Sequence, residues 1–135
     1  MIEVKDLVKS FGSQTVLKGI TTKFETGKTN LIIGQSGSGK TVLLKSLLGI
    51  HQPDSGTISY DGRIYQQLNK DEKTDLRTEI GMVFQGSALF DSMTVEENIG
   101  FPLKMFTNKS TREIKERVDF VIDRVKLVNA HKKLP

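Results

Sequence analysis

Apolar and polar positions alternate from the first residues, Ile2-Glu3-Val4-Lys5, and predict a strand over 2–8. Ile20 to Phe24 predicts a second strand, running into the turn Glu25-Thr26-Gly27-Lys28. Thr29-Asn30-Leu31-Ile32-Ile33 is a β-rich run stopped by Gly34, the pattern of a strand buried in a parallel sheet. From Thr41 the period changes: Thr41-Val42-Leu43-Leu44-Lys45-Ser46-Leu47-Leu48 has helical spacing, and Gly49 is placed to end the helix as its C′ residue. Pro53-Asp54-Ser55-Gly56 reads as a turn. Thr57 to Tyr60 follows as a strand that Asp61-Gly62 folds back onto Arg63-Ile64. The polar stretch Asn69 to Glu79 predicts a short surface helix, and Ile80 to Phe84 an apolar strand. Thr94-Val95-Glu96-Glu97 and Ser110-Thr111-Arg112-Glu113 both fit the capping box, so each marks a helix start. In the second of these helices Ile114, Val118, Val121, Ile122 and Val125 share one stripe.

Composition narrows the class. The chain has 135 residues, 36% hydrophobic and 27% charged, with 12 Gly, 3 Pro and no Cys, which fits one globular domain and excludes collagen-like and disulfide-stapled chains. There is no internal repeat. No basic n-region and apolar h-region follow Met1, and the longest apolar runs, such as 31–33 and 42–44, are too short to span a bilayer. A soluble, intracellular protein is expected. Residues 1–103 hold 11 Lys+Arg and 12 Asp+Glu, whereas 104–135 hold 9 and 4, so the basic excess sits in the last quarter. The lysines there, Lys126, Lys132 and Lys133, read as a solvated helix end rather than a nucleic-acid or lipid site, and no nucleic-acid partner is expected.

The chemistry lies between the 29–33 run and the helix after it. Gly34-Gln35-Ser36-Gly37-Ser38-Gly39-Lys40-Thr41 satisfies G-x-x-x-x-G-K-[ST] in strand–loop–helix context, a P-loop. Its three glycines let the backbone curl so that successive N–H groups cradle phosphate oxygens at a helix N-terminus. Lys40 supplies a positive charge for the β/γ-phosphates, and the Thr41 hydroxyl is placed to ligate Mg2+. Gly34 to Val42 are therefore the candidate nucleotide-binding residues, with ATP and Mg2+ as the ligands. The loop alone does not separate kinases, GTPases, helicases and transport ATPases.

A wider set of motifs adds to the loop. Lys9-Ser10-Phe11-Gly12, Gly34 to Thr41, Pro53 to Gly56, Met82-Val83-Phe84-Gln85 and Thr94 to Ile99 stand in the order and spacing of the ATP-binding subunits of ABC transporters. This resemblance runs from Met1 to Pro135. Phe84 to Val95, followed by Phe101-Pro102-Leu103, resembles most the ATPases of lipid-asymmetry (Mla-type, Mce-associated) phospholipid transporters. It implies an α/β fold, with a P-loop core of parallel sheet and flanking helices, an N-terminal antiparallel β subdomain, and a helical subdomain starting about 86–135. Residues 1–135 would then be the N-terminal part of one nucleotide-binding domain. Phe11 matches the aromatic that stacks on adenine. From the residues alone, a strand-end Phe completing the core is an equal reading. Gln85 matches the glutamine that touches Mg2+ and the attacking water, which with Lys40 makes the implied catalytic pair. Ala88-Leu89-Phe90 and Met93 would lie near a docking groove. The implied partners are ATP or ADP, a second ATPase subunit in a homodimer, a transmembrane permease and a lipid-binding component, at the cytoplasmic, inner face of the cell membrane.

The family pattern also includes an LSGGQ-like signature loop, an apolar strand ending in Asp-Glu, and a switch histidine, none of which stands in 1–135. Residues 1–135 are thus expected to be the N-terminal part of a longer ATPase, inactive alone. Alternatives are an ABC importer ATPase for another substrate, a non-catalytic nucleotide-binding module, and a small-molecule P-loop kinase, which the Met82 to Asn98 stretch argues against. His51 and His131 stand apart from any ligand cluster in the sequence, and Asp123 fits the solvated side of its helix.

Overall fold

The computed structural model describes residues 1–84, 86 and 88–135. The chain divides into two units, Met1–Met82 and Val83–Pro135. In the first, β1 (Ile2–Phe11) pairs antiparallel with β2 (Gln14–Phe24) on one side and with β3 (Ser55–Tyr60) on the other; β4 (Arg63–Ile64) completes the order β2-β1-β3-β4. Asp61 and Gly62 both take left-handed φ, 47° and 83°, the requirement of the tight Asp-Gly hairpin. The first two strands outrun their apolar cores because ladder bonds are made by backbone, whatever the side chain. The register carries on to Phe11↔Gln14.

One face of this sheet buries Val4, Leu7, Leu17 and Ile58 against Leu43 and Leu47 of α1 (Lys40–Leu47) and Leu76 of α2 (Lys70–Thr78). Full burial of such side chains is worth about 1.5–3 kcal/mol each. Ser46, wholly buried within α1, returns its hydroxyl to Val42 O at 2.8 Å. Helix α1 ends with Ile50 N–H donating to Lys45 O (2.9 Å) and Gly49 N–H to Ser46 O (3.0 Å), a Schellman motif centred on Gly49 at φ 67°. Asn69 caps α2, its side chain accepting from Asp71 and Glu72 N–H.

The runs 29–33 and 80–84 do not form the expected strands, and among the described residues there is no parallel pairing. Leu31 and Ile33 are 82% and 81% exposed and Val83 is 97% exposed. The reason is pairing, not propensity: a strand persists only where another lies alongside to take its N–H and C=O groups, and here none does.

In the second unit α3 (Val95–Phe106) and α4 (Thr111–Arg124) each begin with the expected capping box, Thr94 with Glu97 and Ser110 with Glu113. Ile114, Val118 and Ile122 of α4 pack on Val95, Ile99 and Leu103 of α3. Val121 is half-buried, but Val125 departs from the expected stripe: it is the C-cap residue and 58% exposed. After α4 the chain returns so that Lys133 O and His131 O accept from Val95 and Glu96 N–H (2.8 and 3.1 Å), satisfying first-turn donors of α3. Lys132 pairs with Glu96, and His131 meets Asp119 at 3.0 Å; the histidine that stands alone in sequence has a carboxylate partner in space. Among the described residues no helix is long and apolar enough to cross a membrane.

Candidate phosphate-binding site

The loop from Gly34 to Gly39 is held at its far end by the sheet. Gly39 is the N-cap of α1 with φ 94°, and its carbonyl accepts the first helical bond, from Leu43 N–H at 2.8 Å. A Cβ at this position would stand 3.1 Å from both Leu17 Cδ2 and Val16 Cγ1, so β2 and the helix start approach as closely as only glycine allows. Within the loop Ser38 N–H donates to Gln35 O at 3.2 Å. Among the described residues the N–H groups of Gly34, Gln35, Ser36, Gly37, Gly39, Lys40, Thr41 and Val42 have no such partner. A curled backbone with unpaired donors at a helix start is an anion-binding concavity.

Lys40 folds back over that loop. Its Nζ donates to Gly34 O and Gln35 O, 2.8 Å each. An ammonium has three N–H groups, so two orient it and one remains for an anion. No carboxylate among the described residues neutralises it, which leaves the site net positive. Thr41 is exposed on the first turn of α1. Val42 packs its side chain on the core, so only its backbone N–H belongs to the concavity. The Thr41 hydroxyl is an oxygen donor of the hard kind that Mg2+ prefers.

Phe11 ends β1 and is 44% exposed. The Lys9 ammonium stands 5.4 Å from its ring centroid, and the His51 ring crosses it at 76° with centroids 5.2 Å apart. Lys9 is itself fixed by Asp54 Oδ1 at 2.8 Å, while Ser10 N–H donates to Asp54 Oδ2 at 2.6 Å. The Lys9 hydrogen bond, followed by that from Ser10 N–H, holds the Asp54 carboxyl below its ordinary value.

Gln85, the implied sensor, lies outside the described residues. In the second unit, Leu89 and Phe90 are 55% and 47% exposed, Ala88 is exposed and Met93 half-buried. Phe90 is not free of packing: its ring meets Phe101 edge to face at 4.8 Å. The residue missed by sequence reasoning is Asn98. Its Oδ1 accepts from Phe90 N–H (2.8 Å) and its Nδ2 donates to Phe90, Met93 and Thr94 carbonyls at 3.0–3.1 Å. The available signal was its place one turn into α3, where side chains lean back toward the N-terminus and the preceding loop. His51 gave no comparable signal, since its partner is forty residues away.

Comparison with known proteins converges on one family. The family description "ABC transporter" matches residues 17–135. The chain is 40% identical over 127 residues to the probable ribonucleotide transport ATP-binding protein mkl of Mycobacterium leprae, covering 94% of this chain and 36% of that one. It is also 40% identical to the chloroplastic protein TRIGALACTOSYLDIACYLGLYCEROL 3 of Arabidopsis thaliana, over 100% of this chain and 39% of that one. Among solved structures, the ADP- and Pi-bound dimer of the ATP-binding cassette MJ0796 superposes with a TM-score of 0.85 at 27% identity, covering all of this chain and 62% of that one. The chain thus spans between a third and two fifths of the curated relatives' length.

Proposed function

The chain belongs to the ABC transporter family, and from that membership we propose that its 135 residues form the ATP-phosphate-binding part of a transport ATPase. The observation that carries the reading is Lys40, held by two carbonyls with one N–H to spare beside the unpaired amides that open α1. In this reading the amides of residues 35–37 and 39–42 and Lys40 take the β- and γ-phosphate oxygens, and the Thr41 hydroxyl would hold Mg2+. Bound there, the metal would supply charge neutralisation for the phosphate oxygens. No Asp-Glu pair closes an apolar strand within 1–135, so these residues bind MgATP without turning it over, and hydrolysis belongs to the longer parent.

The parent is proposed to move phospholipid, acting as a homodimer at the cytoplasmic face of the membrane with a permease and a lipid-binding component. The chloroplast relative is named for a galactolipid, which supports a lipid as the cargo. A second reading, an importer ATPase for another solute, is favoured by the mycobacterial relative named for ribonucleotide transport. Calorimetry of the 135-residue chain with MgATP and with inorganic tripolyphosphate tests the phosphate site: a folded chain that binds neither refutes it. For the cargo, ATP hydrolysis by the parent with its permease is measured in phospholipid vesicles and in detergent with added ribonucleotide. Stimulation by ribonucleotide but not by phospholipid selects the second reading.

A further inference from the structure

We propose that residues 130–133 form a pH-sensitive clasp over the two helices of the second unit, closed by His131 on Asp119, and that it sets the order of the α3 start and of the loop that α3 holds. The clasp does not depend on phosphate binding. Its first component is backbone. Lys133 O and His131 O accept from Val95 N–H at 2.8 Å and Glu96 N–H at 3.1 Å, two of the donors that a helix cannot satisfy within its own first turn. The Thr94 side chain accepts from a third, Glu97 N–H. The α3 start is therefore complete only while a segment from beyond the end of α4 lies against it. Asn98 then fixes the preceding loop, accepting from Phe90 N–H at 2.8 Å and donating to the Phe90, Met93 and Thr94 carbonyls. Order passes from clasp to helix to loop.

Side chains hold the clasp in place. Ala130 is buried, Lys132 pairs with Glu96, and His131 Nε2 meets Asp119 Oδ1 at 3.0 Å. The backbone leading to it bends at Lys126 and Asn129, whose φ values of 57° and 52° are left-handed, a conformation that non-glycine residues keep where surrounding contacts hold it. Around His131 the charges otherwise balance. Glu96, Glu97 and Lys104 face the groove from α3, Asp119 and Lys115 from α4, and Lys132 from the clasp itself, three carboxylates against three ammonium groups. Glu96 serves Lys132 and Glu97 is bonded to Thr94, which leaves Asp119 to His131. Imidazole is the side chain whose charge changes between about pH 5 and 8, and the chain's other histidine, His51, stands in the first unit. Neutral, His131 donates one hydrogen bond to the carboxylate. Protonated, it makes an ion pair there, so closure is firmer in mild acid and loosens as pH rises.

The test is residue-resolved amide hydrogen exchange on the 135-residue chain and its Asp119→Asn and His131→Gln variants, at about pH 5.5 and about pH 7.5, with rates corrected for the intrinsic pH dependence of exchange. Both values lie above the range where the lowered Glu97 and Glu113 carboxyls take up protons, so the caps they make stay intact. Val95 and Glu96 N–H report the clasp and Phe90 N–H the loop, while Thr107 N–H, bonded to Leu103 O at the other end of α3, is the reference. His131 and Asp119 are half-exposed and each variant keeps a neutral polar group there, so the fold is retained. Exposed ion pairs are weak, so the three reporting amides should be protected about two- to fivefold more at the lower pH, with Thr107 unmoved. Each variant should abolish that difference. Equal protection at both pH values in the unaltered chain overturns the proposal, as does a difference that survives in either variant. A difference shared equally by Thr107 is a general effect and overturns it too. A response in Val95 and Glu96 without one in Phe90 overturns the link to the loop. Unprotected exchange of Val95 and Glu96 at both pH values removes the clasp itself.

Discussion

Replacing Lys40 by alanine removes one charge and three donors from the phosphate loop. In the structure two of those donors already serve Gly34 O and Gln35 O at 2.8 Å, so an arriving phosphate competes only for the third. The lysine therefore gives up nothing to bind it. One charge-assisted hydrogen bond is worth roughly 1.5–3 kcal/mol, which corresponds to about 10- to 150-fold in Kd. The two carbonyl bonds add a second effect, because each is worth about 1 kcal/mol of loop order. Lys40→Ala should thus weaken MgATP and tripolyphosphate alike, by about 10- to 100-fold, and lower thermal stability only slightly, since the loop is exposed. Lys40→Arg keeps the charge, but its planar fork does not fit the two carbonyls as a compact ammonium does, so an intermediate loss is expected. Isothermal titration calorimetry gives the affinities, and far-UV circular dichroism confirms the fold. A folded Lys40→Ala chain with Kd within twofold of that of the unsubstituted chain would refute the argument.

Three further outcomes follow from the geometry. Glu97 and Glu113 are both held below the ordinary carboxylate value by hydrogen bonds, from Thr94 chiefly through its backbone N–H and from Ser110 chiefly through its hydroxyl. Their contribution is present above the unfolded carboxylate pKa and is lost as pH falls through the lowered values; helicity of α3 and α4 should drop in acid, and Glu97→Gln with Glu113→Gln should flatten that pH dependence in circular dichroism. Gly49→Ala places a Cβ 1.9 Å from Tyr65 Oη at φ 67°, displacing the 2.9 Å bond from Arg77, and should cost roughly 2–4 kcal/mol in urea unfolding; a cost under 1 kcal/mol contradicts the Schellman turn. Leu31 and Ile33, exposed beside unpaired backbone, should make the 135-residue chain self-associate, and Leu31→Glu with Ile33→Glu should reduce its light scattering; a monomeric parent chain at high concentration shows the segment to be harmless.

What was legible in advance was local. The capping boxes at Thr94 and Ser110, the Asp61-Gly62 hairpin and the helix end at Gly49 each depend on residues within a few positions of one another. The P-loop belongs with them: its glycine spacing, lysine and threonine determine a curled backbone wherever a helix follows. The contacts around Phe11 were not legible, because His51 reaches it, and Asp54 reaches its neighbours Lys9 and Ser10, from forty or more residues away. Nor was Asn98, whose four hydrogen bonds arise only once α3 begins where Thr94 starts it.

The amino-acid order by itself thus determined where α3 and α4 begin, where α1 ends, which turn folds β3 onto β4, and which loop is the candidate for holding phosphate. All of these are decided by short-range hydrogen bonds and backbone sterics that the nearest residues carry with them. Tertiary structure alone decided which apolar runs become strands. Ile2–Phe11 is a strand because β2 and β3 flank it, while 29–33 and 80–84, as apolar as any strand, stay irregular because no strand among the described residues pairs with them, although Ile32 and Ile80 pack on the core. Side-chain pattern can propose a strand, but its ladder needs the N–H and C=O groups of a second segment, and those are supplied from elsewhere in space.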